Sequence, residues 1–399
     1  MCFTCCLCFR DLERTTRDMA ILSEKQIAAV KKHRYSVEGT SIMDFLDVLY
    51  LWMAKEIHHR VTANLVTIIG LVSVVLSCSF VAYFSYIGDH QHLQASGYFC
   101  AFGFLMWMSC DSIDGKVARL RGLCSPFGEV LDHGGDAFAL MIASVALACF
   151  LGVTDNPLGT VAWILGDMVV NYVSEPYTIY VCGHTRIESI DFYEILTLYI
   201  VVSLSYASFG PTIWKYMILP SVGFRVVHIF YGLKIYIWLE LAFGKTRQFY
   251  VVTKSRGLSF WHSIAPVIPV FIILTSASIA FVSVSQEVLQ ENAILFGLCF
   301  GFCFAKIHVQ LIIAKMSKSS FHLLDTASVL PVVIMFGCVM IEASAAEKHL
   351  LIYSTIVTGL DAMIYFLRLL HQLYHSLGQT LFLLDHNQNQ CKESNGFSK

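Results

Sequence analysis

The chain has 399 residues, of which 56% are hydrophobic and only 14% charged, against roughly 25% charged residues in ordinary soluble domains. With a mean hydropathy of +0.63, this composition excludes a disordered chain, a collagen-like fibre and an ordinary soluble enzyme, and leaves an all-α polytopic membrane protein. A net charge of −2 gives no global basic surface, so nucleic acid is not an expected partner.

Taken in chain order, residues 1–60 form a polar cytoplasmic lead-in, too charged to be a signal peptide. Cys2, Cys5, Cys6 and Cys8 crowd together without the paired spacing of a zinc site. Palmitoylation suits cysteines beside a membrane, and plain reduced thiols suit them equally. Cysteines inside apolar runs, such as Cys78, Cys100, Cys149, Cys299, Cys303 and Cys338, act as small apolar residues. Ile42, Phe45, Leu46, Val48, Leu49, Leu51, Trp52 and Met53 make an apolar face beside Asp44, Asp47, Lys55 and Glu56. That pattern fits an interfacial amphipathic helix, or equally a helix packed on the protein.

Ten continuous apolar segments then follow, at 64–87, 94–110, 134–153, 158–182, 193–209, 217–243, 262–284, 292–314, 323–343 and 349–374. Each is near the roughly 20 residues that a membrane helix needs, and none alternates as a barrel strand would. They predict about ten transmembrane helices within a domain spanning 61–376, followed by a polar tail at 377–399. Alternate connections carry Lys116, Arg119, Arg121, Arg186, Lys245, Arg247, Lys254, Arg256, Lys315 and Lys318, whereas the opposite ones carry only Lys215 and Lys348. The basic side is expected to be cytoplasmic, with both termini on it.

One stretch, 111–136, concentrates acids where apolar spans meet, and acids at membrane depth are costly enough to mark function. Asp111, Asp114, Gly115 and Ala118 share one face of a helix, and Gly128, Asp132 and Asp136 share one face of the next. Pro126 favours a break between the two, with Ser125 ahead of it as a cap. An antiparallel pair aims four carboxylates at one point, where they cannot all stay ionised without cations. Hard oxygen ligands suit Mg²⁺ or Mn²⁺, and four carboxylates suffice for two ions about 3.5–4 Å apart, a clamp for a pyrophosphate. Gly115, Ala118 and Gly128 let a ligand approach closely, and Lys116 and Arg119 offer cations to phosphate.

The spacing D-x2-D-G-x2-A-R-x8-G-x3-D-x3-D is met by Asp111, Asp114, Gly115, Ala118, Arg119, Gly128, Asp132 and Asp136. It resembles the signature of the CDP-alcohol phosphotransferase class-I family. Ser125-Pro126-Phe127-Gly128-Glu129 and Asp132-His133-Gly134 resemble its eukaryotic choline/ethanolaminephosphotransferase branch, as does the ten-span length. Asn64-Leu65-Val66-Thr67 is similar to the motif that opens the family's first span, and 296–298 and 311–314 are loosely similar to its late helices. Ala63 stands where the family has proline, Leu120 where it has a second arginine, and Lys315 where it has histidine.

The resemblance implies transfer of phosphocholine or phosphoethanolamine from CDP-choline or CDP-ethanolamine to diacylglycerol, giving phosphatidylcholine or phosphatidylethanolamine and CMP. It implies that Asp111, Asp114, Asp132 and Asp136 hold the two metal ions. It also implies that Asn64, Asp114, Gly115, Ala118, Arg119 and Gly128 bind the CDP-alcohol. The acceptor hydroxyl needs a base: His133 titrates near neutrality, and Asp136 would be a weak base while bound to metal. On the residues alone His133 is as well explained by a structural hydrogen bond; the branch resemblance favours it as the base. The same resemblance implies a homodimer in the endoplasmic reticulum or Golgi membrane with a cytoplasmic active site. Other acceptors or donors, such as ceramide or inositol, stand behind this expectation. So do a carrier and a non-enzymatic lipid-binding relative. A carrier would spread its acids over inverted repeats at midplane, and a silent relative would have lost a metal acid or His133.

Overall fold

A computed structural model describes residues 20–33, 37–39, 44–183, 185–187, 192–256, 260–341 and 344–378. The Cys2–Cys8 cluster, Ile42 and nearly all of the polar tail lie outside them. The described residues are overwhelmingly helical, as the composition requires of a chain whose backbone groups must be satisfied within lipid.

Helix α1 (Glu24–Val30) opens on a capping box between Ser23 and Gln26. Helix α2 (Asp47–Glu56) turns Tyr50 and Ala54 inward, against Cys110, Ile113 and Val117. Its opposite side leaves Val48 77% and Trp52 60% exposed, with Phe45 and Leu49 beside them. The segment therefore packs on the protein by one edge and presents an apolar face by the other.

Helices α3 (Ala63–Tyr86), α4 (His90–Leu120) and α5 (Pro126–Phe150) pack as a bundle. The start of α4 is capped by Asp89, whose carboxylate accepts from the His92 N–H at 3.1 Å. That bond holds the exposed Asp89 carboxyl below its ordinary range. Then come α6 (Pro157–Tyr172), a five-residue π-helical turn at Val173–Tyr177, and α7 (Thr178–Cys182). Helix α8 (Phe192–Phe209) packs on α4, and α9 (Thr212–Lys215) and α10 (Val226–Arg256) follow it. The last third contains α11 (Phe260–Ile264), α12 (Val267–Ser283), α13 (Gln286–Met316), α14 (Thr326–Met340) and α15 (Ser344–Leu377). Helix α13 runs through the core against α5, α6 and α15.

Each of the ten apolar segments overlaps at least one of these helices, and 158–182 is divided into α6, the π-helical turn and α7. Five (α3, α5, α8, α13 and α15) are long and apolar enough to cross a bilayer by length and composition, and α12 and α14 are shorter apolar helices. The segment 217–243 is not continuous helix. Met217–Leu219 pairs antiparallel with Phe224–Arg225, because Pro220 and the left-handed Gly223 break the chain between them. Past residue 243, where a basic loop is expected, α10 continues through Lys245, Arg247, Lys254 and Arg256. Lys and Arg are good helix formers, so the end of an apolar run does not end a helix. A second small sheet pairs Val37–Gly39 in parallel with Thr185–Ile187.

Two buried lysines tie the bundle together. Lys306 meets Asp325 at 2.8 Å and Asp361 at 2.9 Å, joining α13 to α15 and to the cap of α14. Lys234 meets Asp167 at 2.6 Å, 4.1 Å from the centre of the Trp163 ring. The Asp167 carboxylate also accepts from Ser144 at 2.6 Å and Trp238 at 3.0 Å. Removing one partner of such a pair strands a buried charge, which costs about 3–5 kcal/mol. Lys234→Met should therefore lower the thermal midpoint of detergent-solubilised protein by several degrees. Asp167→Asn/Lys234→Met should recover most of that loss. A double variant no more stable than the single one would contradict this reading of the pair.

Candidate active site

Local sequence builds the site at the junction of α4 and α5. Helix α4 runs unbroken to Leu120, and the chain turns through left-handed Gly122. Ser125 then caps α5, its hydroxyl accepting from the Gly128 N–H at 3.1 Å, with Pro126 in the first turn. Arg121 holds the connection before α3 by donating to the carbonyls of Val61, Ile57 and His58. Thr62 caps α3 through the Leu65 N–H, which sets Asn64 and Thr67 in the first turns facing α4 and α5.

Within this frame Asp111, Asp132 and Asp136 converge, one carboxylate oxygen of each within 4.8 Å of the others. Asp114 lies one turn along α4, and its carboxylate accepts from the Thr67 hydroxyl. Trp107, one turn before Asp111, donates its indole N–H to Asp136 at 2.8 Å. Lys116 is held by Asp47 at 2.8 Å, which ties α2 to the motif helix. Arg119 is exposed, and its guanidinium lies over Gly115, where an added Cβ would stand 3.4 Å from Nη1. Ala118 is half-buried on the same face. Asn64 is buried beside Gly128, where an added Cβ would stand 3.2 Å from its Oδ1. Glu129, between Gly128 and Asp132, pairs with His33 of the N-terminal segment at 3.0 Å.

His133 is half-buried. Its Nδ1 pairs with Glu175 on the π-helical turn, and the other Glu175 oxygen lies 3.3 Å from His308 Nε2 on α13. From sequence, Glu175 is one of several acids near the fourth and fifth spans with no assigned role. Its signal was an acid next to a proline inside an apolar segment; the π turn that aims it leaves no such trace. Trp163 faces Lys234, and the Tyr172 hydroxyl donates to the Pro266 carbonyl at 2.8 Å.

The donor set fits a divalent cation. Three carboxylates converge, and Asp132 Oδ1 is buried without a hydrogen-bond partner among the described residues. Like charges this close repel unless a cation or protons intervene, and an all-oxygen set suits Mg²⁺ or Mn²⁺ chemistry.

Residues 60–240 match the family model for CDP-alcohol phosphatidyltransferase. The chain is 26% identical over 377 residues to cholinephosphotransferase 1 of Xenopus laevis, covering 92% of each chain. It is 28% identical over 374 residues to cholinephosphotransferase 1 of Homo sapiens, covering 90% of this chain and 89% of that one. A shorter likeness, 28% over 137 residues, joins it to a CDP-diacylglycerol–serine O-phosphatidyltransferase of Encephalitozoon cuniculi, covering 33% of this chain and 35% of that one.

The cluster makes a prediction that needs no turnover. Saturating Mn²⁺ or Mg²⁺ should raise the thermal midpoint of the wild-type protein, since a ligand at 100 times its Kd stabilises by about 2.7 kcal/mol. Asp132→Ala should lose most of that shift while keeping its midpoint in chelator. An equal shift in both proteins would place the ion elsewhere.

Proposed function

We infer that this chain, which carries a CDP-alcohol phosphotransferase domain, transfers phosphocholine from CDP-choline to diacylglycerol, giving phosphatidylcholine and CMP. Phosphoethanolamine from CDP-ethanolamine is the second donor. The observation that carries the reading is the convergence of Asp111, Asp132 and Asp136 at the junction of α4 and α5, beside the apolar stretch of each helix. The names of the two near-full-length relatives support choline as the head group. The charge pattern supports an integral membrane protein with both termini cytoplasmic, and the family resemblance favours the endoplasmic reticulum or Golgi membrane. In that orientation the site meets a water-soluble CDP-alcohol from one side and a bilayer lipid from the other.

Asp111, Asp114, Asp132 and Asp136 are the residues that would hold two Mg²⁺ or Mn²⁺ ions. When bound, such ions neutralise charge on the pyrophosphate. The chain's own groups do the rest. Arg119, lying over Gly115, presents its guanidinium to phosphate oxygens, for which its planar fork is suited. The Asn64 amide offers both a donor and an acceptor to the nucleotide beside Gly128. Small residues at Gly115, Ala118 and Gly128 leave room for the ligand. The acceptor hydroxyl gives its proton to Nε2 of His133 as its oxygen bonds to phosphorus and the bond from phosphorus to CMP breaks.

Membranes carrying the protein, supplied with diacylglycerol and Mg²⁺, should convert labelled CDP-choline to phosphatidylcholine. His133→Ala should lower kcat by about 10²–10⁴-fold, the range for a lost general base. Asp136→Ala should remove turnover altogether. Product with ceramide and none with diacylglycerol would replace the acceptor. No product with either donor or acceptor, at normal expression, would overturn the reading.

A further inference from the structure

We propose that Glu175 is the positioning residue for His133. The inference rests on His133 being the base. The local backbone explains how an acid comes to stand there. Pro176 has no N–H to give a helical bond, and the chain widens into a π turn over Val173–Tyr177. The Thr178 hydroxyl satisfies the Val173 carbonyl at 2.7 Å. The extra residue in the turn rotates Glu175 onto the inner face, toward α5 and α13.

One carboxylate oxygen takes His133 Nδ1, and the other lies 3.3 Å from His308 Nε2. The orientation of His308 follows from its second nitrogen, which faces the Asn171 amide nitrogen at 3.4 Å. His308 Nε2 is buried without a hydrogen-bond partner among the described residues, so its contact with Glu175 is one of proximity. Glu175 thus pairs closely with His133 alone, with His308 beside it. With Nδ1 of His133 donating, its lone pair is on Nε2, the form a base needs. Glu175 is absent from the carboxylate group that converges for a cation, and one of its oxygens already pairs with His133. Its role is to fix which nitrogen of His133 takes the proton and where that nitrogen points.

A kinetic cycle over Glu175→Ala and His133→Ala separates this role from packing. Glu175→Ala should lower kcat by about 10²-fold with KM for CDP-choline within about threefold of wild type. The double variant should be no slower than His133→Ala alone, since a residue that acts only through another has nothing left to lose. Glu175→Gln, which keeps the volume and an accepting oxygen, should fall between wild type and Glu175→Ala. Losses that multiply in the double variant, or full activity in Glu175→Gln, would overturn the proposal. So would His133→Ala with wild-type turnover. A cryo-EM map of Glu175→Ala decides it without turnover. The His133 ring should leave its wild-type orientation, and an unmoved ring would overturn the proposal. A wild type inactive with every donor and acceptor would instead overturn the functional reading, leaving that map to decide this one.

Discussion

The structure depends on an electrostatic constraint: three carboxylates from two helices meet where an apolar bundle ends. Asp111, Asp132 and Asp136 bring their oxygens within 4.8 Å of one another, and one Asp132 oxygen is buried with no hydrogen-bond partner among the described residues. Repulsion at that spacing would open the helix pair unless something positive or a shared proton closes it. The surroundings are built to keep the pair closed. Ser125 and Pro126 fix where α5 begins, Arg121 clamps the chain ahead of α3, and Trp107 and Thr67 each hold one acid in place.

The contrast with the other buried charges is informative. Asp167 and Lys234 satisfy each other, with Ser144, Trp238 and the Trp163 ring around them. Lys306 is matched by Asp325 and Asp361. These groups are closed and join helices. The cluster of aspartates has an excess of acceptors, which is the composition of a site that expects a cation. Among the described residues, the lysine–aspartate groups thus hold the bundle, and the aspartate cluster has the make-up of a ligand site.

Much of this was legible in the residues. The apolar runs showed where helices lie, since a continuous run near the length of a bilayer has few other uses. The spacing of the acids placed two helix faces, and Ser125-Pro126 gave the start of the second helix, because capping and the missing proline N–H are local effects. What was not legible depends on tertiary contact. The hairpin at 217–225 interrupts a run that composition alone reads as one span, and α10 outlasts its apolar stretch. Glu175 gave no local sign of its target, since it reaches His133 through a π turn and from another helix. Asp114 has its motif spacing, yet its hydrogen bond to Thr67 could be seen only once α3 and α4 were packed together.

The most direct test of the account is a cryo-EM or anomalous-scattering map of the full chain in lipid with Mn²⁺ and CDP-choline. The account predicts ion density ligated by Asp111, Asp132 and Asp136 at about 2.0–2.2 Å, the range for small divalent ions on oxygen, with the pyrophosphate against it and Arg119 close by. A nucleotide bound elsewhere, or an aspartate cluster without an ion while the protein turns over, would contradict it.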